Sequence, residues 1–265
     1  VVGTTRDNGV NSIIAPLLLN SNGSWDTSFT PTLFSGDNLV TVLDLAVMED
    51  GKILISGRHD FSTGMNTTQT GFVARLNADG TTDTGFQIFE TLSTWMFKFT
   101  VLDNGKILVV SQSNQQSFAQ RLNPNGTLDG TFNSGTGANG KINAIAVLPN
   151  GSALMGGSFS TYNGLPRRNL VVVKADGTVG ADILSVNGEI FCLTVDGQGR
   201  VLIGGQFTSA ASGAQQVLIP YLVRLNSSNT PTVRSPFDFD GDGKTDLSIF
   251  RPSGPNGAEW WWQKS

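Results

Sequence analysis

Near its C-terminal end the chain reads DFDGDGKTD, residues 238–246. Carboxylates at Asp238, Asp240, Asp242 and Asp246 fall at positions 1, 3, 5 and 9 of this loop, and the carbonyl of Lys244 falls at position 7. Alternate acids in a tight loop turn several hard oxygens inward, Gly243 permits a sharp bend, and a donor set without His or Cys selects Ca2+ over Zn2+ or Cu2+. Four carboxylates crowded together without a cation repel one another. A helix-flanked calcium loop needs a bidentate Glu at position 12, where Ile249 stands. The loop is therefore expected between β-strands, with a structural rather than a catalytic cation. The plain alternative is an unoccupied polar turn.

Other residues able to do chemistry are few. Trp260, Trp261 and Trp262 are consecutive. Neighbouring strand residues alternate faces, so they offer either a sugar-stacking surface or packing for an unfinished blade. Arg167 and Arg168 form the one paired basic step. They sit in a variable loop, where a rigid frame would carry a binding function. His59, the only histidine, lies beside Asp60, with no Ser or Cys nucleophile phrase to accompany it. Cys192 lies alone in EIFCLTV, cannot staple the chain internally, and reads as a small buried hydrophobe. No catalytic constellation emerges, so the chain is expected not to be an enzyme.

The elements that must position these residues are short strands. Charged residues make up 14% of the 265, below the ~25% usual for globular domains. Gly supplies 32 positions without a period of three, which excludes collagen and favours many tight turns. A net charge of −4 with no basic block argues against a nucleic-acid partner. The longest apolar runs, such as IIAPLLL, are too short to span a bilayer as a helix, so no membrane insertion is expected.

Two phrases repeat. The first is strand, turn, strand: LAVMEDGKILISG (45–57), FTVLDNGKILVVS (99–111), IAVLPNGSALMGG (145–157) and LTVDGQGRVLIGG (193–205). Its turn glycines, Gly51, Gly105, Gly151 and Gly199, are spaced by 54, 46 and 48 residues. Asp-Gly and Asn-Gly steps supply the positive φ that hairpins need. The second phrase follows each time: ARLNADGTTDTGF (74–86), QRLNPNGTLDGTF (120–132), VVKADGTVGAD (172–182) and VRLNSSNTPTV (223–233). An earlier copy, LLLNSNGSWDTSF (17–29), retains only VVG of the first phrase, so the array is expected to start partway through a repeat. No 3.6-residue apolar stripe occurs. Each repeat offers about four short strands, a sheet too small to bury both faces alone, and stacking copies around an axis covers them. The expected fold is all-β: a β-propeller of about five four-stranded blades, either incomplete or closed by the C-terminal segment.

The repeated side chains read as scaffold. Arg75, Arg121 and Arg224 recur at one position, where a strand-edge Arg can donate to carbonyls of the next blade; Asp26, Asp83 and Asp129 recur at another, where a turn Asp accepts backbone N–H bonds. Phe61, Phe159 and Phe207 after the second strand, and Phe29, Phe86 and Phe132 at the end of the second phrase, are expected to pack between blades. Lys174 and Leu18 are read as replacing the Arg in two copies, and Gly-Gly becomes Val110–Ser111 in one.

These phrases resemble the Delta-60 repeats of bacterial extracellular proteins over residues 1–233. That resemblance implies a propeller in a secreted or surface-anchored protein, with no enzymatic chemistry attached to the repeat. Residues 234–265, with FDFDGDGKTDLSIFRPS and EWWWQKS, resemble an FG-GAP or VCBS-type repeat, in which the acidic loop holds Ca2+ structurally. Carried over residue by residue, that assigns Asp238, Asp240, Asp242, the Lys244 carbonyl and Asp246. The expected function is a structural or adhesive module, extracellular or on the cell surface, whose partners are other domains of a larger protein, neighbouring subunits or glycans. The alternatives are a lectin-like propeller using Trp260–Trp262 or Arg167 and Arg168, and, more remotely, a polysaccharide lyase or hydrolase drawing on His59, Tyr162, Arg167 and Arg168.

Overall fold

The computed structural model describes residues 2–4, 16–33 and 39–225, apart from 64–65, 93–94, 114–115, 134, 197, 213–214 and 219, together with the strands at 247–254 and 257–263. The first phrase folds into antiparallel hairpins four times: Leu39–Val47 with Ile53–Thr63, Trp95–Val101 with Ile107–Ser113, Lys141–Val147 with Ala153–Ser158, and Ile190–Val195 with Val201–Gly205. The second phrase adds a third strand to each, at Asn66–Leu76, Gln116–Leu122, Leu170–Val173 and Leu222–Leu225. These sheets are four blades of an all-β propeller, stacked in chain order. The incomplete first copy contributes a two-stranded ladder, Val2–Thr4 with Pro16–Leu18.

Middle strands carry unbroken apolar runs because neighbouring blades cover both their faces. Ile53–Gly57, Ile107–Ser111 and Ala153–Gly157 are buried at every position. The core is accordingly divided into layers between blades. Leu54 and Val73 of the first blade pack with Phe99, Ile107 and Val109 of the second. Leu108 and Val110 of the second meet Ile142, Met155 and Val171 of the third. Leu154 and Leu170 of the third meet Ile190, Ile203 and Val223 of the fourth.

The hairpin turns refine the expected chemistry. Gly51, Gly105, Gly151 and Gly199 take φ of 78°, 74°, 77° and 73°, but the residue before each glycine does not leave the ordinary region. In the fourth turn that residue is Gln198, and Asp196 accepts the N–H groups of Gln198 and Arg200 at 2.9 and 3.0 Å. In the other three turns it is an Asp or Asn. Its side chain instead accepts a backbone N–H two residues on: Lys52 donates to Asp50 Oδ1 at 3.0 Å, Lys106 to Asn104 at 3.1 Å and Ser152 to Asn150 at 3.0 Å. Each turn is thus an Asx-stabilised loop closed by one left-handed glycine.

Each first strand also carries a bulge at the same place. One extra residue, Leu43, Phe97, Asn143 or Phe191, is inserted opposite the fourth and fifth residues of the middle strand. The second glycine of Gly-Gly answers that bulge. A Cβ on Gly57, Gly157 or Gly205 would lie 1.9, 1.9 or 2.1 Å from the carbonyl oxygen of Thr41, Lys141 or Glu189. The glycine is a close-approach residue in these three blades, while Ser111 stands at the same position in the second.

A fourth strand in the same sheet, Phe89–Leu92, occurs in the first blade. In the third and fourth blades the chain turns left-handed at Asn169 (φ 65°) and Tyr221 (φ 68°), so the third strand starts late, at Leu170 and Leu222. The outer residues then pair as separate ladders, Thr161–Tyr162 with Leu165–Pro166, and Ser185–Val186 with Ser209–Ser212 and Gln215–Leu218. The expectation for Cys192 fails. Cys192 is exposed, not buried. It pairs with Gly204 as Ala144 pairs with Gly156, but Ala144 lies beneath the next blade whereas Cys192 lies on the outer side of the fourth.

Adding a single methyl group separates close approach from mere flexibility. Gly157→Ala should cost about 2 kcal/mol or more in urea unfolding, the range for overpacking. Gly130→Ala, where a Cβ meets nothing within 4 Å, should stay within about 0.5 kcal/mol. Equal effects would refute the close-packing role of the second glycine.

Candidate functional site

The repeated ionic residues converge between blades. In the first blade Arg75 Nε donates to Asp83 Oδ2 at 2.6 Å, and Lys52 Nζ reaches the same oxygen at 2.9 Å. Arg75 also donates through Nη1 to the carbonyl of Pro124 in the following copy, at 3.0 Å, and its guanidinium lies 4.9 Å from the Phe86 ring centre. The second blade repeats this arrangement. Arg121 and Lys106 share Asp129 Oδ2 at 2.6 and 2.8 Å, Arg121 donates to the carbonyl of Ala175 in the next copy, and it lies 5.0 Å from Phe132. The remaining oxygen of each Asp orders its own turn, accepting from the N–H of Gly85 or Thr131. The Lys52 ammonium, then the Arg75 guanidinium, hold the Asp83 carboxyl down to about 2, against the burial that opposes them. Lys106 and the Thr131 hydroxyl lower Asp129 in the same direction. The lysine of the GK step is the member of this cluster that the sequence reading missed; its recurrence one residue past the turn glycine was the available signal.

A backbone stitch runs alongside. The residue after each closing Phe donates to a carbonyl in the next copy: Thr30 to Asp79 at 2.9 Å, Gln87 to Asn125 at 2.7 Å and Asn133 to Asp176 at 2.8 Å. The neighbouring glycines, Gly80, Gly126 and Gly177, take φ of 86° to 90° and admit that backbone. A Cβ on Gly126 would sit 2.0 Å from the Gln87 oxygen. Phe29, Phe86, Phe132, Phe159 and Phe207 are all buried, as expected for packing between blades. The Phe61 side chain lies outside the described residues.

The third blade corrects the alignment of Lys174. Leu154 pairs with Val172 as Leu54 pairs with Arg75, so Val172 occupies the Arg position and Lys174 the Asn position. Gly180 occupies the Asp position, since its N–H bonds the Val172 carbonyl as that of Asp83 bonds Arg75. Ser152 stands where the lysine would be. All three ionic partners are absent together, and Val172 fills the space: a Cβ on Gly180 would meet its Cγ1 at 2.8 Å. Asparagines take over part of the joining. Buried Asn169 donates to the carbonyls of Val186 and Gly188, both at 2.9 Å, while Asn143 donates to Glu189 and to the Ile190 carbonyl.

The residues proposed for ligand chemistry are dispersed. Arg167 spends its guanidinium on the carbonyls of Pro166 and Gly180, at 2.7 and 3.0 Å, while Arg168 is exposed. His59 is wholly buried, with Nε2 2.9 Å from Glu90 Oε1 rather than on Asp60, and its ring edge meets Phe72 at 5.9 Å. Burial pushes its pKa below the ordinary imidazole value, against the pull of Glu90. Tyr162 is buried in the layer between the second and third blades, and burial raises its hydroxyl to about 12. An open cleft of about 600 Å³ lies between the first strands of the first two blades, with Asp44, Glu49, Asp50 and Asp103 among its walls. Asp44 is already engaged, accepting the Phe99 N–H at 3.3 Å with Lys98 Nζ 3.6 Å away. Among the described residues no three His, Cys, Asp or Glu side chains converge as a metal site. Asp238, Asp240, Asp242, Lys244 and Asp246 lie outside the described residues. Trp260, Trp261 and Trp262 lie on the Gly257–Gln263 strand, opposite Phe250, Ile249 and Ser248.

Residues 49–86 and 102–132 match the family model described as a domain of unknown function (DUF5122) beta-propeller. No curated protein matches the chain. Among solved structures the chain is similar to one described as YCF48 bound to D1 peptide, at 10% identity and a TM-score of 0.35, over 71% of this chain and 64% of that one. It is also similar to one described as puromycin hydrolase, at 13% identity and a TM-score of 0.38, over 98% of this chain and 46% of that one. The chain thus spans less than two thirds of either solved chain, and neither likeness carries an argument about activity.

The shared carboxylates make stability acid-sensitive. Asp83 has a folded pKa below its unfolded value of 3.8, so its contribution is complete above that pH and is lost as pH falls towards about 2. Asp83→Asn should flatten the fall in unfolding free energy across that window, and should itself cost about 3 kcal/mol at pH 7 by leaving two cations without their carboxylate. An unchanged acid slope would contradict the assignment.

Proposed function

We propose that this chain is a non-enzymatic structural or adhesive propeller module of a secreted or cell-surface bacterial protein, fastened at its C-terminal end by one calcium loop. The observation that carries the reading is where the repeated polar side chains are spent. Arg75, Asp83 and Lys52, and likewise Arg121, Asp129 and Lys106, satisfy one another and the carbonyls of the next blade. A ring of catalytic or ligand-binding groups would need free valences at those positions. His59 and Tyr162 are enclosed in protein, which favours a packing role for both. Partners would then meet the variable loops and exposed faces, with glycans a candidate class for the three tryptophans.

The calcium assignment rests on the donor set of residues 238–246. Four carboxylates and a carbonyl, without a nitrogen or sulfur ligand, match what Ca2+ prefers, and bound Ca2+ would cancel the repulsion among the acids. Metal analysis after dialysis should find one Ca2+ per chain, and chelation should lower the melting temperature by about 5 °C or more. Asp240→Ser should abolish both effects. A metal-free chain whose melting ignores chelator would overturn the calcium part of the reading and leave the structural part intact.

A further inference from the structure

The fourth blade differs from its predecessors on one side only. Its middle strand, Val201–Gly205, alternates between buried and half-buried positions, where the corresponding five residues of the other three middle strands, Ile53–Gly57, Ile107–Ser111 and Ala153–Gly157, are all buried. Val201 and Ile203 face the third blade and are buried. The other face carries Leu202 and, across the sheet, Leu222. Their counterparts in the third blade, Leu154 and Leu170, are 0% and 1% exposed because the fourth blade covers them, whereas Leu222 is 59% exposed. Phe191, Cys192 and Tyr221 are exposed nearby. An apolar surface of this kind on a soluble sheet calls for a cover, and the residues on it repeat those that a following blade covers elsewhere in the array.

We infer that the C-terminal hairpin of the same chain, Leu247–Gly254 paired with Gly257–Gln263, docks on this face as the middle and outer strands of a fifth blade. The hairpin is antiparallel, as is every middle–outer pair in the array. Its place in the chain also fits. Outer strand and next middle strand are separated from Leu76 to Ile107, Leu122 to Ala153 and Val173 to Val201; the stretch from Leu225 to Leu247 is somewhat shorter and still has room for one inner strand and a turn. The cover continues the interface series already present between the first four blades. This inference stands apart from the calcium assignment, since it depends on the hairpin and not on a cation.

Cys192, the only cysteine, reports on this face in the full chain. With the hairpin docked, its reaction with Ellman's reagent should run at least tenfold slower than in the chain unfolded in guanidinium, at a rate independent of protein concentration. Leu222→Asp on the face and Ile249→Pro in the hairpin, which removes a ladder hydrogen bond, should each restore the fast reaction while far-UV circular dichroism stays strand-rich. Fast reaction in the unaltered chain would overturn the inference. So would protection that persists in both variants, or protection that grows with protein concentration, which would make a second copy the cover.

Discussion

Every blade in this chain depends on a neighbour to finish it. A sheet of three or four short strands cannot bury both faces by itself, so the first five residues of the middle strand are buried at every position only where blades stand on either side. What holds two such sheets at the right distance is the joint at the second phrase. A carboxylate shared by Arg and Lys fixes the turn, the Arg reaches the carbonyl of the next copy, and a left-handed glycine lets the backbones touch. Burying three charges is costly. The cost is offset because both carboxylate oxygens find partners, because each Arg also donates to a carbonyl of the next copy, and because the guanidinium groups lie against Phe86 and Phe132.

The third blade shows that this joint is a unit. Ser152, Val172 and Gly180 replace Lys, Arg and Asp together, and no lone charge remains in the layer. The joint there is carried by apolar contact and by asparagine amides instead. A buried ion pair and a well-packed apolar substitute are near equivalents in stability, so the array tolerates either at this joint.

Much of this was legible in the sequence. The repeat period, the two phrases and the absence of helical periodicity lead to a propeller, and the recurrence of Arg, Asp and Phe points to scaffold. The structural role of those residues required no ligand to recognise. Other features were hidden for physical reasons. Lys174 looked like a conservative replacement for Arg because both are cations, but strand register decides position, and the register puts Val172 there. Cys192 sits in an apolar run that predicts burial, yet a strand's burial depends on what lies on its other side, which no local pattern encodes. Gly57, Gly157 and Gly205 close the first repeated phrase without a stated reason in the sequence, and prove to be spacers against a bulge in the partner strand. The candidate binding residues were the least legible, because surface loops carry no periodic constraint to reveal their partners.

The central claim is that the Arg–Asp pair acts as a single joint, and a double-mutant cycle at the second blade tests it most directly. Arg121→Val and Asp129→Gly, made separately and together, introduce the residues that the third blade carries at these two positions. Asp129→Gly should cost about 3 kcal/mol or more in urea unfolding at low salt, since it leaves Arg121 and Lys106 without their carboxylate, and Arg121→Val, which leaves Lys106 on Asp129, should cost less. The double variant should fall short of the sum by about 1–3 kcal/mol. Strictly additive costs would show that the two residues act independently, and would contradict the account.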